Sequence, residues 1–207
     1  MIHDRIEAGQ LLGKKLLAFN IIDPIVLAVP RGGVIVGHEI AKILRCKLDI
    51  VISKKITPPE NPEYGIGAIT YDGTPYKGEN WQRYANRANF DDELTKKKKE
   101  VKRRLEEYRG NTDYNLDKKT VIVVDDGIAT GSTVFAILNW LVNQKTGKIL
   151  LAIPVIPADT YKIIESKVSS IIVLYIPTEF SAVGQFYEQF DQVSDQEVKE
   201  ILTMYKK

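Results

Sequence analysis

Four runs of apolar, largely β-branched residues alternate with helical segments along this chain, and this alternation limits the fold more than any other feature of the sequence. The runs are IVLAVP, TVIVVDD, KILLAIPVI and SIIVLYIP, and intervening segments such as STVFAILNWLVNQ repeat their apolar residues at helical spacing. A strand that is apolar almost throughout is typically buried on both faces. The alternation therefore predicts an α/β fold with a parallel, doubly wound sheet covered by helices.

The same criteria predict further elements. LDIVIS and IGAITY are predicted as two more strands, separated by the Pro-rich segment TPPENPEYG. Asp4 is a candidate N-cap for an amino-terminal helix. The segment FDDELTKKKKEVKRRLEEYRG is predicted to form one long charged helix that ends at Gly110. Its basic run interleaves with glutamates, which favours a solvated helix face over a nucleic-acid surface.

Length, charge and cysteine content exclude several classes of protein. The 207 residues suffice for one core, and we expect a single domain. The 29 basic and 27 acidic residues leave a net charge of +2, which gives no reason to expect nucleic acid as a partner. No apolar run approaches the roughly 18 residues of a membrane span, and the amino terminus lacks the pattern of a secretory signal. Cys46 is the one cysteine, so no internal disulfide can form, and we expect a cytoplasmic location.

The stretch TVIVVDDGIATGST, residues 120–133, carries the clearest candidate chemistry. Asp125 and Asp126 follow a buried strand and are therefore expected at the carboxyl edge of the sheet, where open α/β folds bind ligands. The chain then turns into a helix through a segment with one glycine and three hydroxyl residues, Thr130, Gly131, Ser132 and Thr133. Such a loop at a helix N-terminus suits a phosphate, whereas the carboxylates need hydroxyls or a cation. A ribose 5-phosphate satisfies both requirements.

This order of two acids, a short turn and Thr-Gly-Ser-Thr resembles the phosphoribosyl pyrophosphate motif of type I phosphoribosyltransferases. The resemblance extends over nearly the whole chain and implies their fold, with Asp125 and Asp126 at the ribose. It also implies that the following residues meet the substrate, namely Gly127, Ala129, Thr130, Gly131, Ser132 and Thr133. A Walker A loop is excluded because no lysine follows Gly131. An ordinary strand-to-helix turn leaves the paired acids unexplained.

A second match lies in VLAVPRGGVIVG, residues 26–37. In the family a short loop after the first core strand holds the pyrophosphate, which here implies Arg31, Gly32 and Gly33, often with a cis peptide that by position joins Pro30 to Arg31. Arginine offers a planar fork for phosphate oxygens. Lys54 and Lys55 stand where family members place further basic residues, although a lysine pair at a strand end is as often simply solvated.

The resemblance also divides the chain. Residues 57–110 correspond to the family's flexible loop and a helical insertion, and Tyr64, Tyr71 and Trp81 belong either to that cover or to aromatic packing. Residues 177–207 correspond to the hood that receives the acceptor base. The candidates for stacking on the base and for bonding its edge are Phe180, Gln185, Phe186 and Tyr187. The alternative for these residues is a small hydrophobic cap on the sheet.

The resemblance implies a transfer of the 5-phosphoribosyl group from phosphoribosyl pyrophosphate to a base, giving pyrophosphate and a nucleoside monophosphate in nucleotide salvage. Mg²⁺ is the expected cofactor, held through substrate and water near Asp125 and Asp126 with no direct protein ligand. At the position of Ala129, 6-oxopurine enzymes carry an acid near the purine, so hypoxanthine and guanine are disfavoured. A homodimer is expected.

Two other classes of function stay open at this point. One is a regulatory, non-catalytic protein that senses phosphoribosyl pyrophosphate or a nucleotide. The other is a phosphate-ester hydrolase, which would need a metal-ligating acid constellation that the sequence does not show.

Overall fold

The computed structural model describes residues 1–58, 65–87 and 90–206, and these form two compact units. The first unit comprises Met1–Val51, Leu116–Thr130 and Lys145–Lys207. The second comprises Ile52–Asn115 and Gly131–Gln144.

A five-stranded parallel sheet forms the centre of the first unit. Its strands are β1 (Pro24–Ala28), β2 (Lys47–Ile50), β6 (Thr120–Val124), β7 (Ile149–Val155) and β8 (Ser170–Tyr175), in the order β2-β1-β6-β7-β8. Every residue of β6 is buried, because this strand lies in the middle of the sheet. The predicted α/β fold with a parallel sheet is confirmed.

Four helices accompany this sheet within the first unit: α1 (Arg5–Leu16), α2 (Gly32–Leu44), α6 (Ala158–Glu165) and α7 (Asp195–Thr203). Asp4 caps α1 as predicted, since its carboxylate accepts the Glu7 N–H at 2.8 Å. The helix then turns a buried face, which includes Leu12 and Leu16, toward the interior.

The second unit contains a three-stranded antiparallel sheet of β3 (Ser53–Ile56), β4 (Gly67–Thr70) and β5 (Pro75–Lys77). Its helices are α3 (Trp81–Ala85), α4 (Phe90–Arg109) and α5 (Ser132–Val142). The predicted charged helix is confirmed, and Gly110 follows it with φ +85°.

One strand prediction was wrong in its extent, and a second predicted strand is present with a partner that the sequence did not specify. LDIVIS is divided: β2 ends at Ile50 in the parallel sheet, and Ser53 begins β3 in the antiparallel sheet. IGAITY contains β4, but this strand pairs antiparallel with β3 and β5. Hydropathy indicates that a strand is buried but not which strand it pairs with. Neither the division of LDIVIS between two sheets nor the antiparallel pairing of IGAITY could therefore be predicted from it.

The predicted flexible loop, residues 57–110, is described only in part, and Tyr64 lies outside the described residues. Trp81 and Tyr71 are in aromatic contacts. Trp81 meets Phe90 edge to face with ring centroids 5.1 Å apart, and Tyr71 meets Trp140 at 6.0 Å. Both residues therefore take part in aromatic packing, which was the alternative to a role in the cover.

The carboxyl-terminal helix α7 was not predicted, although the sequence contains a signal for it. Ser194 and Glu197 form a capping box: Ser194 Oγ accepts the Glu197 N–H at 3.2 Å, and Glu197 Oε2 accepts the Ser194 N–H at 2.8 Å. The pattern Ser-x-x-Glu before apolar residues is the known sequence signature of such a start. None of the described helices combines the length and apolar character that a membrane crossing requires.

The capping box gives a stability prediction. Replacing Ser194 by alanine removes the acceptor for the Glu197 N–H, and we expect the free energy of unfolding to fall by about 1 kcal/mol. Urea denaturation followed by circular dichroism measures the change. Ser181→Ala is the control, because this exposed serine precedes no helix of comparable length; equal stability of the two variants would contradict the capping role.

Candidate functional site

Parallel pairing of β1 with β6 brings two of the predicted loops together. Ala28 lies opposite Val124, and the Val29 N–H donates to Val124 O at 2.8 Å. The loop after β1 contains residues 30–33, and the loop after β6 begins with the acid pair. Motifs that are far apart in the sequence are therefore neighbours at the carboxyl edge of the sheet.

The loop after β1 leads directly into α2. The peptide bond between Pro30 and Arg31 is cis, as predicted. Arg31 is the N-cap residue of α2, and its side chain makes no capping hydrogen bond. The first N–H groups of a helix have no partner within the helix, so this helix start offers donors to an external anion.

Glycine is required at positions 32 and 33 because this loop packs on the acid pair. A Cβ atom on Gly32 would overlap Asp126 Oδ2. A Cβ atom on Gly33 would lie 2.9 Å from Asp125 Cα and 3.0 Å from Val124 O. Both positions are closer than a side chain tolerates, which explains the two glycines by close approach of the backbone.

Asp125 is half-buried, as is Asp126. Its Oδ1 accepts the Asp126 N–H at 2.9 Å. Burial, and then the negative charge of Asp126, raise the pKa of the Asp125 carboxyl well above its usual range. This direction is expected, because two adjacent carboxyl groups in a partly buried place resist a second negative charge.

Arg5 binds Asp126, and sequence reasoning missed this residue. Arg5 Nε donates to Asp126 Oδ2 at 2.8 Å, with the two side chains only 11% and 18% exposed. The one available signal was weak: a positive residue at the first position of a helix is unfavourable to the helix dipole and suggests another role. No motif connects residue 5 to residue 126.

Tyr187 also holds the acid pair, which corrects its predicted place among the base-stacking residues. Its side chain is 5% exposed. The Tyr187 hydroxyl donates to Asp126 O at 2.7 Å, and its ring packs against Phe190 with centroids 4.9 Å apart. A buried ring with an occupied hydroxyl cannot stack on a ligand, so Tyr187 supports the backbone of the site.

The loop after the acids is fixed by the segments around it. A Cβ on Gly127 would overlap the side chain of Val183, the Ile128 N–H donates to Val155 O at 2.9 Å, and Ala129 O accepts the Thr160 hydroxyl at 2.9 Å. Ala129 and Thr130 are exposed. The loop therefore has an anchored start and an accessible end.

The rest of this motif belongs to the second unit, where it begins α5. Gly131 has φ +76° and is the N-cap residue, again without a capping side chain. Its carbonyl accepts the Phe135 N–H at 2.8 Å. Ser132 is buried and Thr133 half-buried in the first turn. The predicted glycine and hydroxyl residues thus form the start of a helix, with Gly131 as its N-cap residue.

Lys54 and Lys55 do not end a strand of the parallel sheet, as the sequence had suggested. They lie within β3 of the antiparallel sheet. Lys54 Nζ is paired with Glu100 of α4, and this hydrogen bond lowers the pKa of the Glu100 carboxyl. Lys55 is exposed. The wrong location follows from the division of LDIVIS between two sheets.

The hood candidates divide into internal supports and accessible rings. Gln185 Oε1 accepts the N–H groups of Ser181 and Ala182 at 3.0 and 3.1 Å, so it closes a 3-10 turn (Val183–Phe186). Phe180 and Phe186 stack with centroids 5.9 Å apart, and both are half-buried. The two phenylalanines retain ring surface, whereas Gln185 is occupied.

Two further features concern cations and cavities. Across residues 1–58, 65–87 and 90–206, no group of three or more His, Cys, Asp or Glu side chains could hold a metal ion.

A cavity of about 440 Å³ lies at the opposite, amino end of the strands, lined partly by Pro24, Arg45, Cys46 and Lys119. Burial raises the pKa of the Cys46 thiol to about 11, so it is mostly unreactive at neutral pH.

A sequence profile of the phosphoribosyl transferase domain matches residues 2–190. The chain belongs to the phosphoribosyl transferase domain family. The match covers both loops, Arg5 and the hood candidates, and it ends before α7.

Relatives of this phosphoribosyl transferase domain agree with the assignment. It is 35% identical over 201 residues to a Mycobacterium tuberculosis protein whose name assigns it provisionally to the phosphoribosyl transferases. The alignment covers 96% of this chain but 45% of that relative, so the chain spans less than half of the longer protein.

Solved structures share the fold. TT1426 from Thermus thermophilus has a TM-score of 0.84 and 32% identity, covering 99% of this chain and 98% of that one. A hypoxanthine phosphoribosyltransferase from Staphylococcus aureus has a TM-score of 0.50 and 13% identity, covering 86% and 75%. The second likeness concerns the fold alone.

The raised pKa of Asp125 gives a pH-dependent stability prediction. A carboxyl with a higher pKa in the folded state stabilises the fold in acid and loses that contribution as the pH rises from about 4, its unfolded pKa, through the folded pKa. Asn carries no charge and still accepts the Asp126 N–H. We therefore expect Asp125→Asn to be more stable than the parent at pH 7, by about 1 kcal/mol, the common scale for relieving a functional constraint.

Urea denaturation at pH 7 and at about pH 4 tests this expectation. The advantage of Asp125→Asn should shrink at the lower pH. Asp159→Asn is the control, since the Asp159 side chain is 98% exposed and its substitution should change little. A stability difference independent of pH would contradict the raised pKa.

Proposed function

We propose that this domain transfers the 5-phosphoribosyl group between phosphoribosyl pyrophosphate and a nitrogenous base, with Mg²⁺ as cofactor. The observation that carries the proposal is the direct packing of the Gly32–Gly33 backbone on Asp125 and Asp126. This packing puts donors suited to pyrophosphate beside carboxyl groups suited to ribose hydroxyls. In phosphoribosyl pyrophosphate the pyrophosphate and the ribose hydroxyls are only a few bonds apart, so one ligand can contact both the donors and the carboxyl groups.

The start of α2 is proposed to hold the pyrophosphate. The unpaired N–H groups at Gly32 and Gly33 and the positive end of the helix dipole favour an anion there. Arg31 adds a guanidinium that is 34% exposed, with its Nη1 3.7 Å from Asp195 Oδ1. A separation of 3.7 Å in a solvated position is a weak pairing, and the guanidinium can turn to a phosphate at small cost.

The acid pair is proposed to hold the ribose and to stabilise the transition state. The bond from the anomeric carbon to a pyrophosphate oxygen breaks with its electron pair leaving on pyrophosphate, and a bond to the acceptor nitrogen forms. Positive charge develops on the sugar between these events, and the Asp126 carboxylate offsets it. A protonated Asp125 can donate a hydrogen bond to a ribose oxygen while Asp126 accepts one.

The remaining site residues are proposed from their place in the motif. Gly127, Ala129 and Thr130 continue the chain toward the start of α5. Gly131, Ser132 and Thr133 lie at that helix N-terminus, where the positive end of the helix dipole suits the 5-phosphate. Lys54 and Lys55 are proposed as further contacts to phosphate oxygens. For Lys54 this requires exchange of its pairing with Glu100.

The residues at the acid pair fit Mg²⁺ bound through substrate and water. Asp126 Oδ2 accepts a hydrogen bond from Arg5, and burial and the charge of Asp126 raise the pKa of the Asp125 carboxyl, so the pair is poorly suited to bind one ion directly. When bound, Mg²⁺ would neutralise charge on the pyrophosphate leaving group.

The acceptor is proposed to be a base other than hypoxanthine or guanine. The Ala129 side chain is exposed and cannot exchange a proton with a purine. Phe180 and Phe186 are the rings available for stacking, and Gln185 and Tyr187 are used within the protein. A homodimer and a cytoplasmic location stay predictions.

One observation favours a second candidate function. The hood candidates include rings that could stack on a base, but Gln185 Oε1 already accepts hydrogen bonds from Ser181 and Ala182 within its own turn. Gln185 is therefore not available to form a hydrogen bond with the edge of a base. We therefore keep a regulatory protein that senses phosphoribosyl pyrophosphate as the alternative. The hydrolase alternative lacks support, since the described residues contain no metal-ligating acid constellation.

Calorimetry with phosphoribosyl pyrophosphate and Mg²⁺ tests the site. We expect the parent to bind and Asp126→Asn to bind at least about tenfold more weakly, because a hydrogen bond to a charged group contributes about 1.5–3 kcal/mol. Asp159→Asn is the matched control and should bind as the parent does. No binding by the parent at millimolar ligand would overturn the proposal.

Pyrophosphate release in the presence of single bases separates enzyme from sensor. We expect turnover with one or more bases and a rate for hypoxanthine and guanine at least about a hundredfold lower than for the best base, since a missing proton-transfer group costs about 10²–10⁴ in rate. Binding without turnover for any base would favour the sensor. Fast turnover with hypoxanthine would contradict the interpretation of Ala129.

A further inference from the structure

Arg5 is held on several sides where it meets the acid pair. Besides the 2.8 Å bond to Asp126 Oδ2, its Nη1 donates to Asp191 O at 2.8 Å. The guanidinium carbon lies 3.8 Å from the centroid of the Phe190 ring. These contacts fix the plane of the guanidinium, so Arg5 has one orientation relative to the carboxylate.

Residues from both ends of the segment that matches the family profile place Arg5 beside Asp126. The Ile2 N–H donates to Phe186 O at 2.9 Å, and the Glu188 N–H donates to Ile2 O at 2.8 Å. Ile2 thereby pairs with Tyr187 in a single parallel bridge. Arg5 follows this bridge on one side and contacts the carboxylate of Asp126, while Tyr187 contacts the carbonyl of the same residue.

Asp126 is therefore held at its main chain and at one carboxylate oxygen. The Arg5 contact is to Oδ2, and because a carboxylate is planar, fixing Oδ2 also fixes the direction of Oδ1. The crowding at Gly32 blocks the side of Oδ2, where even a methyl group would overlap. One oxygen is thus held by Arg5, and the orientation of the whole carboxylate depends on that contact.

Stability alone is a poor reason for this arrangement. Removing two charges from water costs about as much as their attraction returns, so a buried ion pair is often no more stabilising than apolar side chains of similar size. Arg5 also begins a helix, where its charge is unfavourable to the dipole. The geometry of the pair is better explained by what it does to the carboxylate.

We propose that Arg5 is a positioning residue, which holds Asp126 Oδ2 so that Oδ1 points to a hydroxyl of the phosphoribosyl group. This inference rests on the proposed function and adds to it a residue outside both sequence motifs. The guanidinium also lowers the pKa of Asp125 and so moderates the repulsion between the two acids. Arg5 does not itself contact the substrate.

Binding of phosphoribosyl pyrophosphate with Mg²⁺, measured by calorimetry, tests the role. We expect Arg5→Ala to weaken binding at least about tenfold, the scale of one lost charge-assisted hydrogen bond, and Arg5→Lys to weaken it less. Arg45→Ala is the matched control: Arg45 lies at the opposite, amino end of the strands, away from the acid pair, and its loss should leave binding unchanged.

Chemical rescue distinguishes positioning from a general effect on the fold. Millimolar guanidinium should restore part of the binding by Arg5→Ala, because the free ion can take the place of the missing group beside Asp126. The same concentration of sodium chloride should not. Circular dichroism of each variant verifies that it is folded, and Arg5→Lys, which keeps the charge, serves as the test variant if Arg5→Ala is not.

A double-mutant cycle identifies the residue through which Arg5 acts. In the Asp126→Asn background, Arg5→Ala should cause little further loss, since the carboxylate to be positioned is already gone. Fully additive losses would overturn the inference, as would unchanged binding by a folded Arg5→Ala or Arg5→Lys variant, or the absence of guanidinium rescue. If the parent itself fails to bind, the proposed function fails, and the inference fails with it.

Discussion

The parallel pairing of β1 with β6 is the interaction on which the site depends. It sets the loop after one strand directly beside the loop after the other, and the backbone at Gly32 and Gly33 then packs on the acid pair without room for a side chain. Neither loop has this geometry alone. A helix start with free donors and a pair of carboxyl groups become one surface only because the two strands are neighbours in register.

Adjacent acids at such a place create an electrostatic problem, and the structure treats the two residues differently. Burial, and then the negative charge of Asp126, raise the pKa of the Asp125 carboxyl. Asp126 keeps a counter-ion instead, because Arg5 lies within hydrogen-bonding distance of its carboxylate. One acid is a potential donor and the other an acceptor, a division that suits a ligand with hydroxyl groups and developing positive charge.

Segments from the two ends of the family match support this division. The bridge between Ile2 and Tyr187 places Arg5 and the Tyr187 hydroxyl on the same aspartate. Tyr187 was expected to stack on a base, but it is buried, and its hydroxyl instead donates a hydrogen bond to the Asp126 carbonyl. Of the residues expected to stack on a base, Phe180 and Phe186 keep exposed ring surface and stack on each other.

The sequence by itself determined the α/β class, most elements of the parallel sheet and both loops, because apolar runs and local motifs report burial and turn chemistry directly. The cis bond after Pro30 was expected only from the resemblance to the family. Tertiary structure decided the rest. The division of LDIVIS between two sheets and the antiparallel pairing of IGAITY could not be predicted, because hydropathy does not specify a strand's partner. Arg5 meets Asp126 across a large separation in sequence, and Tyr187 turns inward, because such contacts arise when segments pack together, and no local pattern of residues encodes them.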